Sequence, residues 1–512
     1  MRAFLIGVAG SGMAPLAGLL RRAGHEVWGS DVSFDPPMGP RLRQWGVRTF
    51  SGTDAAHLDG LDPARDVVVV GNVCRKDHPL VREAEARGLR RISMPTAIRE
   101  LVATGSAGKR PVVAIAGTHG KTTTTAMVAW LLAHGGLEPG WLVGGVPARA
   151  LDGGGGEGEP FEIGRTARSL TASAPLAPFV IEGDEYDSAF FEKVPKVWGY
   201  APTLAILTSI EHDHVDIYPD AERYRDAFRG LLSRLPAEAE GGMLVANAAD
   251  PEVVALVERE RPRCRVVWYA ASDMAGRGFP SAPSSKEPPV WTASEVGLSG
   301  DGDAVQPFDL FVGPSSAGRF GVGVFGAHNV ANATAAIALA VEGFGLPVRE
   351  TAGALGAFVG VKRRQEKLVD GGRGARGVTL YDDFAHHPTA VDATLRSIRS
   401  RHRGARVVAL YEPRSATACR AMHQAAYPEA FAPADVVVLA PLGRSTIPAA
   451  ERLDLDRLAS DLRERGKQVE RPTDLDALVA TVVALARPGD VVLSMSNGAF
   501  GGVNAKLREA LA

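Results

Sequence analysis

Residues 111–134 read PVVAIAGTHGKTTTTAMVAWLLAH. A short apolar run, Pro111 to Ala116, has the continuity of a strand buried on both faces of a parallel sheet. Gly117-Thr118-His119-Gly120-Lys121-Thr122-Thr123 follows, and Thr122 to Ala133 reads as a helix. A strand, a glycine loop and a helix in that order make a phosphate cradle, because backbone N–H groups and the helix N-terminus face the anion. Lys121 supplies a point charge for the β/γ-phosphates, and the Thr122 hydroxyl can coordinate Mg²⁺. The full consensus places another glycine five residues before Gly120, where this chain has Ile115, so the loop is a shortened variant.

The same alternation extends outward on both sides. Ala3–Val8, His25–Gly29 and Asp66–Val70 read as strands, with a helix from the Gly10–Gly12 turn through Ala23. Met1–Ala9 is too short an apolar run, and too rich in nearby glycine, to read as a leader segment. Phe179–Glu182 and Leu204–Thr208 are further strands, and Ala327–Val341 is a small-residue helix. The last section alternates strands at Val378–Tyr381, Val407–Tyr411, Asp435–Leu439 and Asp490–Met495 with helical stretches. Composition turns small and polar near Gly105–Arg110, and a basic segment lies at Val361–Lys367. The expected organisation is α/β throughout, in three units: 1–108, 109–362 and 363–512. Ala148–Pro178 and Ser272–Pro289 are low in complexity and read as inserted surface loops.

Composition narrows the function. Lys and Arg number 57 against 59 Asp and Glu in 512 residues, a formal net charge of −2. That gives no reason to expect nucleic acid or an anionic membrane as partner. No apolar run is long enough to cross a bilayer. Cys74, Cys264 and Cys419 are far apart, which argues against a disulfide framework and fits a reducing cytoplasm. Nothing in the sequence fixes an oligomeric state.

Three further segments carry chemistry. Glu182-Gly183-Asp184-Glu185-Tyr186-Asp187 ends a strand, where ligands bind in parallel sheets, and one of its carboxylates could complete a Mg²⁺ shell opposite Thr122. Glu211-His212-Asp213-His214-Val215-Asp216 could reach a second metal or a transferred phosphate, but its spacing is not that of a closed zinc site. In His328-Asn329-x-x-Asn332 an asparagine can pair with an adenine edge, although helix capping by Asn329 is the commoner use of that residue type. Gly7-x-x-Gly10-x-Gly12 with Ser30-Asp31 downstream has the wrong spacing for a strong NAD signal, but suits a nucleotide diphosphate on a helix N-terminus.

Taken together, these motifs resemble the Mur ligase family of peptidoglycan amide-bond-forming enzymes, over nearly the whole chain. Arg363-Arg364 and Asp382-Asp383-x-x-His386-His387-Pro388 complete the ordered set. The His-His-Pro element and Gly29–Asp31 are similar to the branch that uses UDP-N-acetylmuramate. Within it, Pro36-Pro37-Met38, Gly71-Asn72, Glu412–Ser415 and Met495–Gly502 resemble members that add L-alanyl-γ-D-glutamyl-meso-diaminopimelate rather than L-alanine. Ala499, where glycine is expected, and the 148–178 insertion depart from the pattern.

The resemblance implies an ATP- and Mg²⁺-dependent ligase that works through an acyl phosphate. It implies a UDP-sugar site at Gly10, Ser11, Gly12, Ser30, Asp31 and Asn72. Gly117, Thr118, His119, Gly120, Lys121, Thr122 and Thr123 would hold the phosphates, with Lys121, Glu182 and His214 catalytic. Thr122, Glu182 and His214 would hold the metal. Asn329 and Asn332 would meet adenine, Arg364 and Asp383 the ribose–phosphate side, and Arg414, Ser415 and Asn497 the peptide. His386 and His387 would lie near the phosphate or the closing interface. Several members carry a carbamylated lysine on the helix after Asp-His-x-Asp. The matching position here is Phe228, and no lysine occurs between Lys196 and Lys286. The rival functions are the L-alanine-adding ligase, an NAD-dependent oxidoreductase and a non-enzymatic nucleotide switch.

Overall fold

The computed structural model describes every residue except 36–37, 106–107, 155, 166–176, 273–289, 299–303, 375 and 445–446. Three α/β units follow one another along the chain, each built on its own sheet. The first sheet has five parallel strands in the spatial order Arg48–Ser51, Glu26–Asp31, Arg2–Ile6, Val67–Val70 and Arg90–Ser93. Val67–Val70 is buried at every position, which is why its sequence shows no alternation. Strand order reverses at Arg2–Ile6, so a crevice opens beyond the ends of Arg2–Ile6 and Val67–Val70, where Gly7 and Gly71 lie.

The central sheet has ten strands. Its parallel part runs Gly140–Leu142, Phe179–Gly183, Val112–Ala116, Leu204–Leu207, Met243–Asn247, Arg265–Ser272 and Val290–Glu295. Strand Phe161–Glu162 closes one edge, and the hairpin Gln306–Val312/Ser315–Val322 the other, all antiparallel. Val113 and Ile115 face the core under helices Lys121–His134 and Ala327–Phe344, whereas Ala114 and Ala116 face that under Ala221–Leu232 and Pro251–Glu260. The buried alanines of Ala327–Phe344, including Ala333, Ala336 and Ala340, let it lie close along Lys121–His134.

The third sheet has six strands in the order Glu366–Val369, Thr379–Asp383, Val491–Met495, Val407–Tyr411, Val436–Leu439 and Gln468–Glu470. All run parallel except Glu366–Val369. Met495 lies level with both Asp383 and Tyr411, so three strands deliver their C-terminal loops to one edge.

One expectation changes. The segment 148–178 is more than a surface loop where it is described. Phe161 is fully buried and packs edge-on against Trp45, and a Cβ on Gly18 would lie 2.3 Å from its ring. Trp45 Nε1 donates to Glu159, and Arg22 pairs with Glu162, so the insertion ties the first unit to the second. Glycine-rich composition hid this, because one aromatic side chain carries most of the burial. Of 272–289, Ser272 ends a long strand, and the remainder lies outside the described residues, as do Pro36 and Pro37. The strands Met243–Asn247, Arg265–Ser272 and Val290–Glu295 and the edge hairpin add to those read from the sequence. The three cysteines are free and buried. Among the described residues no helix is long and apolar enough to cross a membrane.

Candidate active site

The loop Gly117–Gly120 leaves the C-terminal end of its strand and enters the helix at Lys121. Gly117 and Gly120 have φ of 129° and 82°, which L side chains rarely adopt. Space excludes a side chain as well: a Cβ would lie 2.1 Å from Thr208 Oγ1 at Gly117, and 2.5 Å from Asn332 Oδ1 at Gly120. Thr208 Oγ1 donates to the His119 carbonyl at 2.6 Å, and Thr118 Oγ1 bonds the Tyr224 hydroxyl at 2.9 Å. The loop is therefore pinned from beneath, with the helix N-terminus free to meet an anion.

Lys121 Nζ donates to the Gly117 carbonyl at 2.6 Å and to Glu185 Oε2 at 3.1 Å. Burial opposes its charge, but Glu185 and Asp184 outweigh it and hold its pKa above the ordinary lysine value. Burial likewise opposes ionisation of Glu185, yet Lys121 and His214 hold that carboxyl at about 2. His214 Nε2 lies 3.1 Å from Glu185 Oε1. Burial lowers the pKa of His214, and Glu185 and Asp213 raise it further than burial lowers it. The backbone of His214 is left-handed, with φ 55°, and its N–H donates to Thr417 Oγ1 of the third unit at 3.1 Å.

Glu182 stands on the other side of Lys121. Its Oε1 accepts the Gly144 N–H at 2.5 Å, and its Oε2 accepts the Thr122 hydroxyl at 3.2 Å. Arg364, from the third unit, donates to the same Thr122 oxygen at 3.2 Å. Burial, then the neighbouring Asp184, pushes the Glu182 carboxyl up to about 7. A divalent cation beside it would favour the carboxylate form, and a hydroxyl with carboxylate oxygen suits Mg²⁺. Thr122 and Glu182 thus fit such an ion directly, whereas His214 is paired with Glu185. Glu185 was missing from the expected site residues, although it lies in the segment that supplied Glu182.

Asn329 does not cap its helix. The cap position is Gly326, and Asn329 Nδ2 donates back to the Phe325 carbonyl at 2.8 Å. Asn332 Nδ2 donates to Asn329 Oδ1 at 3.2 Å, which leaves Asn332 Oδ1 against Gly120. Both asparagines are buried. Asp383 accepts N–H groups from Gln365 and Ala385, each at 2.7 Å, and so shapes the turn that presents Arg364. Arg364 lies over the Phe384 ring, 4.7 Å from its centroid.

In the first unit a cavity of about 330 Å³ is lined by Gly7, Ser30, Asp31, Cys74, Arg75 and His78, among others. Asp31 Oδ2 accepts the Ala9 N–H at 2.9 Å and so braces the glycine turn. Gly10, Ser11, Gly12 and Asn72 do not line this cavity, and Ser11 and Asn72 are exposed.

At the far edge of the third sheet, Arg414 keeps 44% of its side chain exposed, and its nearest acid, Glu412, is 3.8 Å away. A Cβ on Gly498 would lie 2.3 Å from Arg414 Nε, so that glycine is needed for the arginine to pass. Asn497 Oδ1, next to Gly498, is buried with no hydrogen-bond partner among the described residues. An unpaired buried acceptor beside an exposed guanidinium is a place for a ligand that offers both a donor and an anion. Ser415 Oγ instead accepts the Ala418 N–H at 2.9 Å, a local turn bond.

Three family models match the chain in register with the three sheets: "Mur ligase family, catalytic domain" over residues 4–105, "Mur ligase middle domain" over 115–340, and "Mur ligase, glutamate ligase domain" over 363–498. The chain is 34% identical to the UDP-N-acetylmuramate–L-alanyl-γ-D-glutamyl-meso-2,6-diaminoheptanedioate ligase of Escherichia coli, covering 100% of this chain and 98% of that protein. It is 35% identical to the UDP-N-acetylmuramate–L-alanine ligase of Chloroflexus aggregans, over 96% of this chain and 95% of that protein. Among solved structures it is similar to a murein peptide ligase from Psychrobacter arcticus, with 30% identity, a TM-score of 0.67, and coverage of 100% and 98%.

Proposed function

The chain belongs to the Mur ligase family of ATP-dependent ligases, and we propose that it joins L-alanyl-γ-D-glutamyl-meso-diaminopimelate to UDP-N-acetylmuramate. The observation that carries the reading is the meeting of the second and third units at one point. Lys121 and Thr122 open a pinned phosphate loop, Glu182, Glu185 and His214 surround them, and Arg364 arrives from the third unit onto Thr122. A ligase that phosphorylates a carboxylate must hold two anions together, and cations fixed in a buried site do this best.

In this reading unit 1–108 holds the UDP-sugar in the cavity beside Gly7 and Asp31, and unit 109–362 holds ATP. Unit 363–512 holds the peptide. Thr122 and Glu182, with His214 nearby, would hold Mg²⁺, which supplies charge neutralisation at the γ-phosphate. Lys121 stabilises charge on the β/γ-phosphates, and the helix N-terminus orients them. The lactyl carboxylate oxygen of UDP-N-acetylmuramate attacks the γ-phosphorus and ADP leaves. The peptide amine then attacks the acyl carbon, loses a proton, and inorganic phosphate departs. Asn332, held by Asn329, lies against the phosphate loop, and the two are proposed to meet adenine.

Arg414 and the unpaired Asn497 oxygen favour a large, charged amine over L-alanine, because they offer a peptide a carboxylate clamp and an acceptor. The role that follows is reuse of peptide recovered from old cell wall. The test is ATP-dependent phosphate release with UDP-N-acetylmuramate, comparing the free tripeptide with L-alanine. A higher kcat/KM for L-alanine would reject the assignment of the amine. Absence of phosphate release with either amine would reject the reaction.

A further inference from the structure

A second group of ligating side chains lies apart from Thr122, Glu182 and His214. His119, Glu211 and His387 each offer one donor atom, and these atoms lie within 4.8 Å of one another. They come from three distant segments: the phosphate loop, the loop after strand Leu204–Leu207, and the residue that caps helix Pro388–Arg401 in the third unit. No spacing rule finds such a set, and the absence of a closed zinc pattern within Glu211–Asp216 is consistent with it. One carboxylate oxygen, Glu211 Oε2, stands between the two rings, 2.7 Å from His119 Nε2 and 3.6 Å from His387 Nδ1.

We propose that His119, Glu211 and His387 bind a borderline transition-metal ion of the Zn²⁺ class, which cross-links the phosphate loop to the C-terminal unit. Two imidazoles and a carboxylate select such an ion over Mg²⁺, which prefers all-oxygen surroundings. Three protein ligands leave a fourth position for water, the pattern of an open site. Tetrahedral ligands about 2.1 Å from an ion sit about 3.4 Å apart. The His387–Glu211 separation already meets that, and the His119–Glu211 hydrogen bond would open by well under 1 Å as the ion replaces its proton.

The second observation is His387 itself. It is only 3% exposed, and the nitrogen that faces Glu211, at 3.6 Å, is Nδ1. Among the described residues Nδ1 accepts only one hydrogen bond, a long one from the Thr389 N–H at 3.4 Å, which the ion would replace. Burial holds the ring far below the ordinary histidine pKa, so it is neutral and keeps a lone pair. The other Glu211 oxygen accepts the Thr389 hydroxyl at 2.7 Å, which fixes the carboxylate in the way a supporting hydrogen bond orients a metal ligand.

The test uses the full-length, nucleotide-free protein, stripped with a chelator and titrated with Co²⁺ alone. The expected result is one equivalent per chain with the visible bands of four-coordinate Co²⁺, displaced by Zn²⁺ and not by a large excess of Mg²⁺. Glu211→Gln keeps the hydrogen bonds but not the charge, and His387→Asn keeps a capping side chain but not the imidazole. Each should weaken Co²⁺ binding by more than the ~10–100-fold expected from losing a supporting partner. His214→Ala should leave the bands in place. Absence of four-coordinate bands in the wild type, or bands that survive both Glu211→Gln and His387→Asn, would overturn the proposal. Bands abolished by His214→Ala would place the ion with Thr122, Glu182 and His214 and overturn it equally. None of these outcomes depends on which amine the enzyme uses.

Discussion

Replacing Lys121 with Met removes the charge proposed to act on the phosphates and, at the same stroke, half of a buried ion pair. Glu185 is 1% exposed on its side chain and faces Lys121 Nζ at 3.1 Å. Its carboxyl is held at about 2 against an ordinary 4.5, despite burial that acts the other way. A tenfold change in a protonation equilibrium is worth about 1.4 kcal/mol, so the depressed value represents about 3 kcal/mol, shared between Lys121 and His214. The sign follows from the direction. A depressed carboxyl stabilises the fold above its unfolded pKa, and that contribution disappears as pH falls from about 4.5 towards about 2. At neutral pH, Lys121→Met should therefore destabilise the central unit by about 3 kcal/mol, the low end for broken buried pairs. Lys121→Met/Glu185→Gln removes the stranded charge and should recover most of that loss. Turnover should stay down by ~10²–10³ in both variants, because neither restores the charge at the phosphates. The assays are urea unfolding followed through a central-unit probe, and ATP-dependent phosphate release. Wild-type stability in Lys121→Met, or no recovery in the double variant, would refute the electrostatic account. Near-wild-type turnover by a folded Lys121→Met would refute the phosphate-loop assignment.

Gly120→Ala places a Cβ 2.5 Å from Asn332 Oδ1 at a φ of 82°; it should cost about 1–3 kcal/mol of local strain and weaken binding of a non-hydrolysable ATP analogue in calorimetry, while equal affinity would show that the loop can relax. Arg414→Ala should raise KM for the tripeptide by at least ~10-fold with little change in KM for ATP, and an unchanged tripeptide KM would remove Arg414 from the peptide site. Phe228 is buried in the core against Tyr224, with ring centroids 5.3 Å apart, so the initial rate in CO₂-depleted buffer should not rise when bicarbonate is added; strong reversible activation would show a carbamate elsewhere.

Much of the fold is written locally. The strand–loop–helix at 111–134 could be read because strand burial, glycine φ and helix propensity all act within a few residues. Val407–Tyr411 and the other apolar strands were legible for the same reason, and their boundaries move by only one or two residues. The phosphate-loop residues, and the carboxylates at the end of Phe179–Gly183, follow from the rule that parallel sheets bind ligands at strand ends. Tertiary structure alone decided the pairings. Glu185 rather than Glu182 takes Lys121 and His214, because which carboxylate turns inward depends on the backbone path after the strand. Phe161 is buried because a glycine in a distant helix, Gly18, leaves room for its ring. His119, Glu211 and His387 meet because two units dock, and a distance set by docking leaves no period or spacing in the chain. Sequence records what each segment prefers; contacts between segments far apart are fixed only when the sheets and helices pack.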